Sequence, residues 1–207
     1  MRVVLISDTH GLQDRVDIPD GDVLLHAGDL TFFGGITDLS DVGRWFEQLP
    51  HKHKLLVPGN HDFYCEPQRL SQAQAILSDV TILIDQAVEI DGVHFYGSPY
   101  QPSFHNLAFN LPRGAALVAK WALIPPETDV LITHTPPHGI LDWTTRREHV
   151  GCRALRQAVK RIRPKIHLFG HIHEAYGQLE QNGTTFVNAS VCTRYLEPIN
   201  KTVVIDL

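Results

Sequence analysis

The chain has 207 residues, 43% of them hydrophobic, enough for a substantial core in one domain expected to span residues 1–207. A formal charge of −5 supplies no basic face for a nucleic-acid backbone, which argues against polymeric DNA or RNA as partner. There is no basic-then-apolar leader and no apolar run near the roughly 18–20 residues that cross a bilayer, so no membrane contact is expected and a soluble, cytoplasmic protein is.

Taken in chain order, residues 2–7 read as a buried strand delivering Asp8 and His10 at its carboxyl end, and 22–27 does the same for Asp29. A helix is expected over 39–48. The run 54–58 feeds Gly59-Asn60-His61-Asp62, followed by a helix over 67–77. Residues 87–90 and 93–96 form a hairpin across Asp91-Gly92, and the Pro-rich, aromatic stretch 98–112 reads as an ordered surface loop. Helices over 113–123 and 152–162 flank the strand 129–133, which ends on His134, and the strand 165–169 ends on Gly170-His171-Ile172-His173. A second hairpin joins 176–180 to 184–187 across Asn182-Gly183, and 202–206 is the last strand. The alternation is α/β, and two mixed sheets with helices outside make a four-layer α-β-β-α sandwich with its site at the strands' carboxyl ends.

Thirteen histidines are many for this length, and five of them lie in the strand-end clusters. Residues two apart on extended chain point the same way, so Asp8 with His10, and His171 with His173, can each face one ion. Asn60 follows a buried strand, where its side-chain oxygen serves as a donor to metal. Five such clusters in order provide hard oxygen and imidazole ligands for two metal ions. The three cysteines, Cys65, Cys152 and Cys192, are odd in number and lack CxxC spacing, which points to buried, reduced thiols. His26 reads as a hydrogen-bonded core residue that orients a ligand. His51, His53, His149 and His167 read as surface or strand-edge residues.

The order Asp-x-His, Gly-Asp, Gly-Asn-His-Asp, His, Gly-His-x-His resembles the calcineurin-like metallophosphoesterase superfamily. Further segments, Gly97-Ser98-Pro99-Tyr100-Gln101-Pro102, Phe109-Asn110-Leu111-Pro112-Arg113-Gly114 and Asn188-Ala189-Ser190, resemble its metallophosphoesterase-domain-containing, brain-type branch. The resemblance implies that Asp8, His10 and His173 hold one ion, that Asn60, His134 and His171 hold the other, and that Asp29 bridges them. It places His61 near the leaving-group oxygen as general acid, which with Asp29 makes the catalytic pair. Ions about 3.5–4 Å apart can share a water and clamp a phosphoryl group for in-line attack. Mixed carboxylate, amide and imidazole ligands suit Mn²⁺ first, with Fe²⁺ or Zn²⁺ as alternatives.

Ser/Thr phosphatases of the superfamily continue the second block as Gly-Asp-x-x-Asp-Arg, and here Phe32 and Phe33 stand in the last two places. Without a forked Arg, a singly charged diester is favoured over a dianionic monoester. Aromatic residues beside the metal loops suggest a nucleotide, so the expected activity is a phosphodiesterase of small cyclic nucleotides, with Asn60, His61, Phe33, Tyr100 and His105 touching substrate. The alternatives are a phosphomonoesterase and a weakly active nucleotide-binding or scaffold protein.

Overall fold

The computed structural model describes residues 1–32 and 34–207; Phe33 lies outside them. The first sheet is built from β1 (Arg2–Ile6), β2 (Val23–His26), β3 (His53–Leu56), β4 (Thr81–Ile82) and β13 (Val203–Asp206), in the order β13-β1-β2-β3-β4. Only β13 runs antiparallel to its neighbour. The second sheet is built from β5 (Gln86–Ile90), β6 (Val93–Ser98), β9 (Val130–Thr133), β10 (Ile166–Phe169), β11 (Gly177–Gln181) and β12 (Thr184–Asn188). Its order is β11-β12-β10-β9-β6-β5, with both edge strands antiparallel. Helices α1 (Ile36–Gln48) and α2 (Leu70–Ile76) cover the first sheet, and α3 (Ala115–Ala122) and α4 (Arg153–Ile162) cover the second.

Strand alternation assigns the layers. On β1, Val3 and Leu5 enter the core between the sheets, where they join Val130, Ile132, Ile166 and Leu168, while Val4 and Ile6 face the core under α1 with Val42 and Phe46. On β9, Leu131 turns the other way, to Trp121, Leu155 and Val159 beneath α3 and α4. Both faces of these parallel strands are therefore buried, which is why they read as unbroken apolar runs. The four-layer α-β-β-α sandwich is the observed architecture.

Both expected hairpins form, and their turns show the dihedral signature that Asp-Gly and Asn-Gly favour: φ is +48° and +79° at Asp91 and Gly92, and +55° and +79° at Asn182 and Gly183. Three expectations change. The stretch 98–112 contains the short parallel pair β7 (Gln101–Pro102) and β8 (Asn110–Leu111), and it buries Ala108 and Phe109 in the α1 core, so it is in part core rather than surface. Helix α2 starts at Leu70 rather than at residue 67, after a turn in which Arg69 N–H bonds the Glu66 carbonyl. His167 and His51 are 0% and 3% exposed, not surface residues. His167 sits at the centre of the second sheet, where its ring packs with Phe169 and Phe186. The three cysteines are buried and unpaired. Among the described residues no helix is long and apolar enough to cross a membrane.

Candidate metal centre

The parallel strands β1, β2, β3, β9 and β10 end at one rim, and each places its donor just past its last residue. Asp8, His10, Asp29 and His171 do so with φ of +57°, +46°, +54° and +68°, a left-handed backbone that side-chain-bearing residues rarely adopt and that costs of order 1–3 kcal/mol each. Backbone bonds between adjoining turns hold this strain in place: Asp8 N–H to the Gly28 carbonyl at 2.8 Å, His10 N–H to Asp29 at 2.9 Å and Gly11 N–H to Leu30 at 2.8 Å. Glycine is needed where the turns meet. A Cβ on Gly59 would lie 2.2 Å from both the backbone N and Oδ1 of Asp29, and one on Gly170 would lie 2.0 Å from Oδ2 of Asp8.

Three sets of side chains each bring one ligand atom per residue within 4.8 Å of the others: Asp8, His10 and His173; Asp29, His134 and His171; and His10, Asp29 and His61. Asp29 joins the first two groups, since its Oδ2 lies 3.7 Å from His10 Nε2 and 3.4 Å from His134 Nε2. Asn60 belongs beside the second set, with Oδ1 2.9 Å from His134 Nε2. All seven expected ligands thus meet at one place, although only six of them carry ionisable or imidazole groups.

The proton positions decide what the cluster requires. His173 Nδ1 donates to the Thr193 carbonyl at 3.0 Å, so in the neutral ring Nε2 is a bare lone pair; it faces Asp8 Oδ1 at 3.2 Å and His10 Nε2 at 3.3 Å. His134 repeats this: Nδ1 donates to the Ala27 carbonyl at 2.8 Å and leaves Nε2 against two acceptors, Asn60 Oδ1 and Asp29 Oδ2. Buried acceptors facing acceptors demand a positive charge between them. The electrostatics say the same. Burial opposes charging of both rings, yet Asp29 and Asp8 push His134 up to about 9, and Asp8 pushes His173 up to about 9. Asp8 and Asp29 are held below the usual carboxylate range, against the effect of burial, by His173 and His134 respectively. Burial, reinforced by His134, keeps His171 neutral with its value lowered to about 3. Carboxylate, amide oxygen and imidazole together form a donor set that divalent cations satisfy.

Several residues hold this set without belonging to it. His26 accepts from Gly28 N–H on Nδ1 at 3.1 Å, so its Nε2–H donates to Thr9 Oγ1 at 3.1 Å, and Thr9 donates onward to Leu30 O. One imidazole therefore ties the Asp8 turn to the Asp29 turn. Asp62 is buried and accepts from the backbone N–H of Leu30, Thr31 and Gly59, at 3.0, 3.2 and 2.7 Å, which joins the second and third blocks. Burial and the nearby Asp29 push its carboxyl up to about 6. Ser190 Oγ donates to Asp8 Oδ2 at 2.7 Å, beside His171 N–H at 3.0 Å. The roles of Asp62 and Ser190 escaped the sequence reading. For Ser190 the signal was available: β12 is one more apolar run ending in polar residues, Asn188-Ala189-Ser190.

His61 anchors its backbone N–H on Asp29 Oδ1 at 2.8 Å and donates from Nδ1 to the Phe32 carbonyl at 2.8 Å. The Phe32 ring centroid lies 5.9 Å from that of His61. Beside His171 opens a cavity of about 600 Å³ lined by Phe104, His105, Ile172 and Arg113 among others. Of the expected substrate contacts, His105 lines it, Asn60 and His61 are not among its lining residues, and Phe33 is outside the described residues. Tyr100 is not among its lining residues: its ring packs edge-on against Phe109, with Lys120 Nζ 3.9 Å from the centroid.

A two-metal site at the carboxyl rim of paired mixed sheets is the apparatus of a phosphoester hydrolase. The chain belongs to the calcineurin-like phosphoesterase family, whose sequence profile matches residues 1–175. It is 42% identical over 230 residues to human Metallophosphoesterase domain-containing protein 1, a match that takes in 100% of this chain and 71% of that one. A UPF0046 protein of Caenorhabditis elegans is also 42% identical, over 94% of this chain and 71% of its own length. Among solved structures, one described as a novel archaeal phosphodiesterase superposes with a TM-score of 0.56 at 20% identity, over 100% of this chain and 93% of that one.

Proposed function

We propose that this chain is a dinuclear phosphodiesterase of small nucleotides, with 2′,3′- and 3′,5′-cyclic nucleotides as candidate substrates. In this reading Asp8, His10 and His173 hold one divalent ion, Asn60, His134 and His171 hold the second, and Asp29 is shared; Mn²⁺ is the first choice of metal, with Fe²⁺ or Zn²⁺ as alternatives. The observation that carries it is the pair of acceptor clusters meeting at Asp29 Oδ2, 3.7 Å from one imidazole and 3.4 Å from the other. When bound there, two divalent ions acidify water and neutralise charge on a phosphoryl group.

The chain's own groups do the rest. His61 is oriented at both its backbone N–H and Nδ1, which leaves Nε2 to carry a proton to the leaving oxygen. Asn60 turns its oxygen to His134, so its NH₂ is left to donate to a phosphoryl oxygen. The cavity beside His171 falls within the ~300–1,000 Å³ range of small-ligand pockets, and Phe104, 52% exposed on its wall, offers a face to a base. His105, an expected substrate contact, lines the same cavity.

The diester preference rests on what stands after Asp29. Phe32, with a ring where the Ser/Thr phosphatases have an orienting carboxylate, and Phe33, in place of their Arg, provide no fork for a phosphate dianion. The test compares bis-p-nitrophenyl phosphate and cyclic nucleotides with p-nitrophenyl phosphate, on Mn²⁺-loaded protein. Faster turnover of the diesters is expected; ready hydrolysis of the monoester with the diesters untouched would identify a phosphomonoesterase instead.

A further inference from the structure

A second cavity, of about 570 Å³, lies where α3 and α4 begin on the outer face of the second sheet. Its lining includes Arg113, His138, His149 and Arg153 but no carboxylate. Neither arginine makes an ion pair with a described residue. Two of these groups are fixed in place. Arg113 donates from Nη2 to the Val150 carbonyl at 2.7 Å and from Nη1 to Gly151 at 3.1 Å, so its guanidinium is pinned to the chain segment that carries His149. His149 donates from Nδ1 to Oδ1 of the fully buried Asp142 at 2.5 Å, and the other oxygen of Asp142 accepts the N–H of Gly139 and Gly151. A carboxylate already engaged by two backbone donors fixes the imidazole's orientation. The ring is partly exposed and stands 5.6 Å from that of His138.

Arg113 also borders the cavity beside His171, whereas His138, His149 and Arg153 line only this second one. Gly114 and Cys152, the residues that open α3 and α4, also line the cavity, so the positive ends of both helix dipoles add to the side-chain charge. The lining also includes Leu117 and Val118, the latter 58% exposed. A pinned guanidinium, an oriented imidazole and a second arginine match the oxygens of a phosphate, and the leucine and valine match an organic group attached to it. We propose that this cavity is a second binding site, for an organic phosphate, separate from the metal centre.

The experiment is a calorimetric titration of the Zn²⁺-loaded protein with phenyl phosphate and with inorganic phosphate, repeated on two variants. Val118→Asp puts a negative charge at an exposed helical position, and Arg153→Glu places an acid in the first turn of α4, which suits the helix dipole, so neither threatens the fold. Two binding events are expected for phenyl phosphate: one abolished by Asp29→Asn, the other weakened at least about tenfold by Val118→Asp and by Arg153→Glu with diester turnover unchanged. Inorganic phosphate is expected to bind the second site about tenfold more weakly than phenyl phosphate. A single event that only Asp29→Asn removes, or a second event untouched by both cavity variants, would overturn the proposal. Equal affinity for the two probes would overturn the organic part of it. Because Asp29→Asn reports on the metal centre alone, failure of the second site leaves the phosphodiesterase reading standing, and the reverse also holds.

Discussion

His134 Nε2 stands 2.9 Å from Asn60 Oδ1, although Nδ1 of the same ring already donates to the Ala27 carbonyl. A lone pair thus faces an oxygen at hydrogen-bonding distance in a fully buried setting, and only a cation or a proton between them makes that contact attractive. The same arrangement recurs at His173, whose Nε2 faces Asp8 Oδ1 at 3.2 Å, and the pair of them supports the proposed pair of cation sites.

Removing one ligand should therefore unload one site. His134→Ala and His171→Gly are expected to lower bound metal from about two equivalents per chain towards one, by elemental analysis. Groups that merely orient a ligand are worth 10–100-fold in activity or affinity, so losing a ligand should lower kcat/KM by at least about 10²-fold. Stripping both ions with a chelator should lower the melting temperature, and a metal present at 100 times its Kd should restore about 2.7 kcal/mol. Two full equivalents in His134→Ala would refute the assignment.

Gly59 touches no ligand with a side chain, yet it limits how close the third block can approach Asp29. A methyl group there would sit 2.2 Å from Asp29 Oδ1, against backbone on one side and the shared carboxylate on the other. Gly59→Ala is expected to push Asp29 out of place and cost at least about tenfold in kcat, while far-ultraviolet circular dichroism stays as in the parent. A fully active Gly59→Ala protein would mean that the turns part without harm.

Much of this was legible in the sequence, for a physical reason. Each donor follows a strand buried on both faces, so an apolar run that stops abruptly at Asp, Asn or His marks both the element and the site, as 2–7 before Asp8 and 129–133 before His134 do. The hairpins were legible because their turns need φ > 0, and Asp91-Gly92 and Asn182-Gly183 announce it. What stayed hidden depends on contacts between distant segments. No local pattern shows that Asp62 closes on Gly59 and Leu30, that the four donor residues adopt left-handed backbone, or that His167 lies mid-sheet, since a lone histidine in an apolar run reads equally as an edge. β4, with two residues, is too short to carry any period.

Asp62 tests the clamp behind the ligands. With alanine there, the N–H groups of Leu30, Thr31 and Gly59 lose their acceptor in a buried place, at about 1–3 kcal/mol each. Asp62→Ala is expected to lose at least about 3 kcal/mol in urea unfolding. Asp62→Asn should fall between: its oxygen can still serve Leu30 and Thr31, but its NH₂ then meets the Gly59 N–H donor to donor. An Asp62→Ala protein within about 0.5 kcal/mol of the parent would rule the clamp out.

His167 gives the protein an acid-sensitive core away from the metal ligands. Thr133 Oγ1 has one proton and gives it to the Thr135 carbonyl at 2.8 Å, so His167 must donate to Thr133 from Nε2 at 2.9 Å, which leaves Nδ1 bare, buried and without a partner among the described residues. Burial lowers this imidazole to about 3, and the charge of Arg156 adds to the effect. In the unfolded chain the same ring takes a proton near 6.5, so below that pH the unfolded state binds the extra proton. The contribution to stability is therefore complete above about pH 6.5 and declines as pH falls towards 3. Between pH 6 and pH 5 the linkage amounts to about 1 kcal/mol for one such group. His167→Phe keeps a flat ring against Phe169 and Phe186 and removes the titration. Its unfolding free energy should therefore fall about 1 kcal/mol less over that unit than the parent's, by urea denaturation at matched metal loading. Parallel pH profiles for the two proteins would mean that His167 is protonated in the folded state despite its burial.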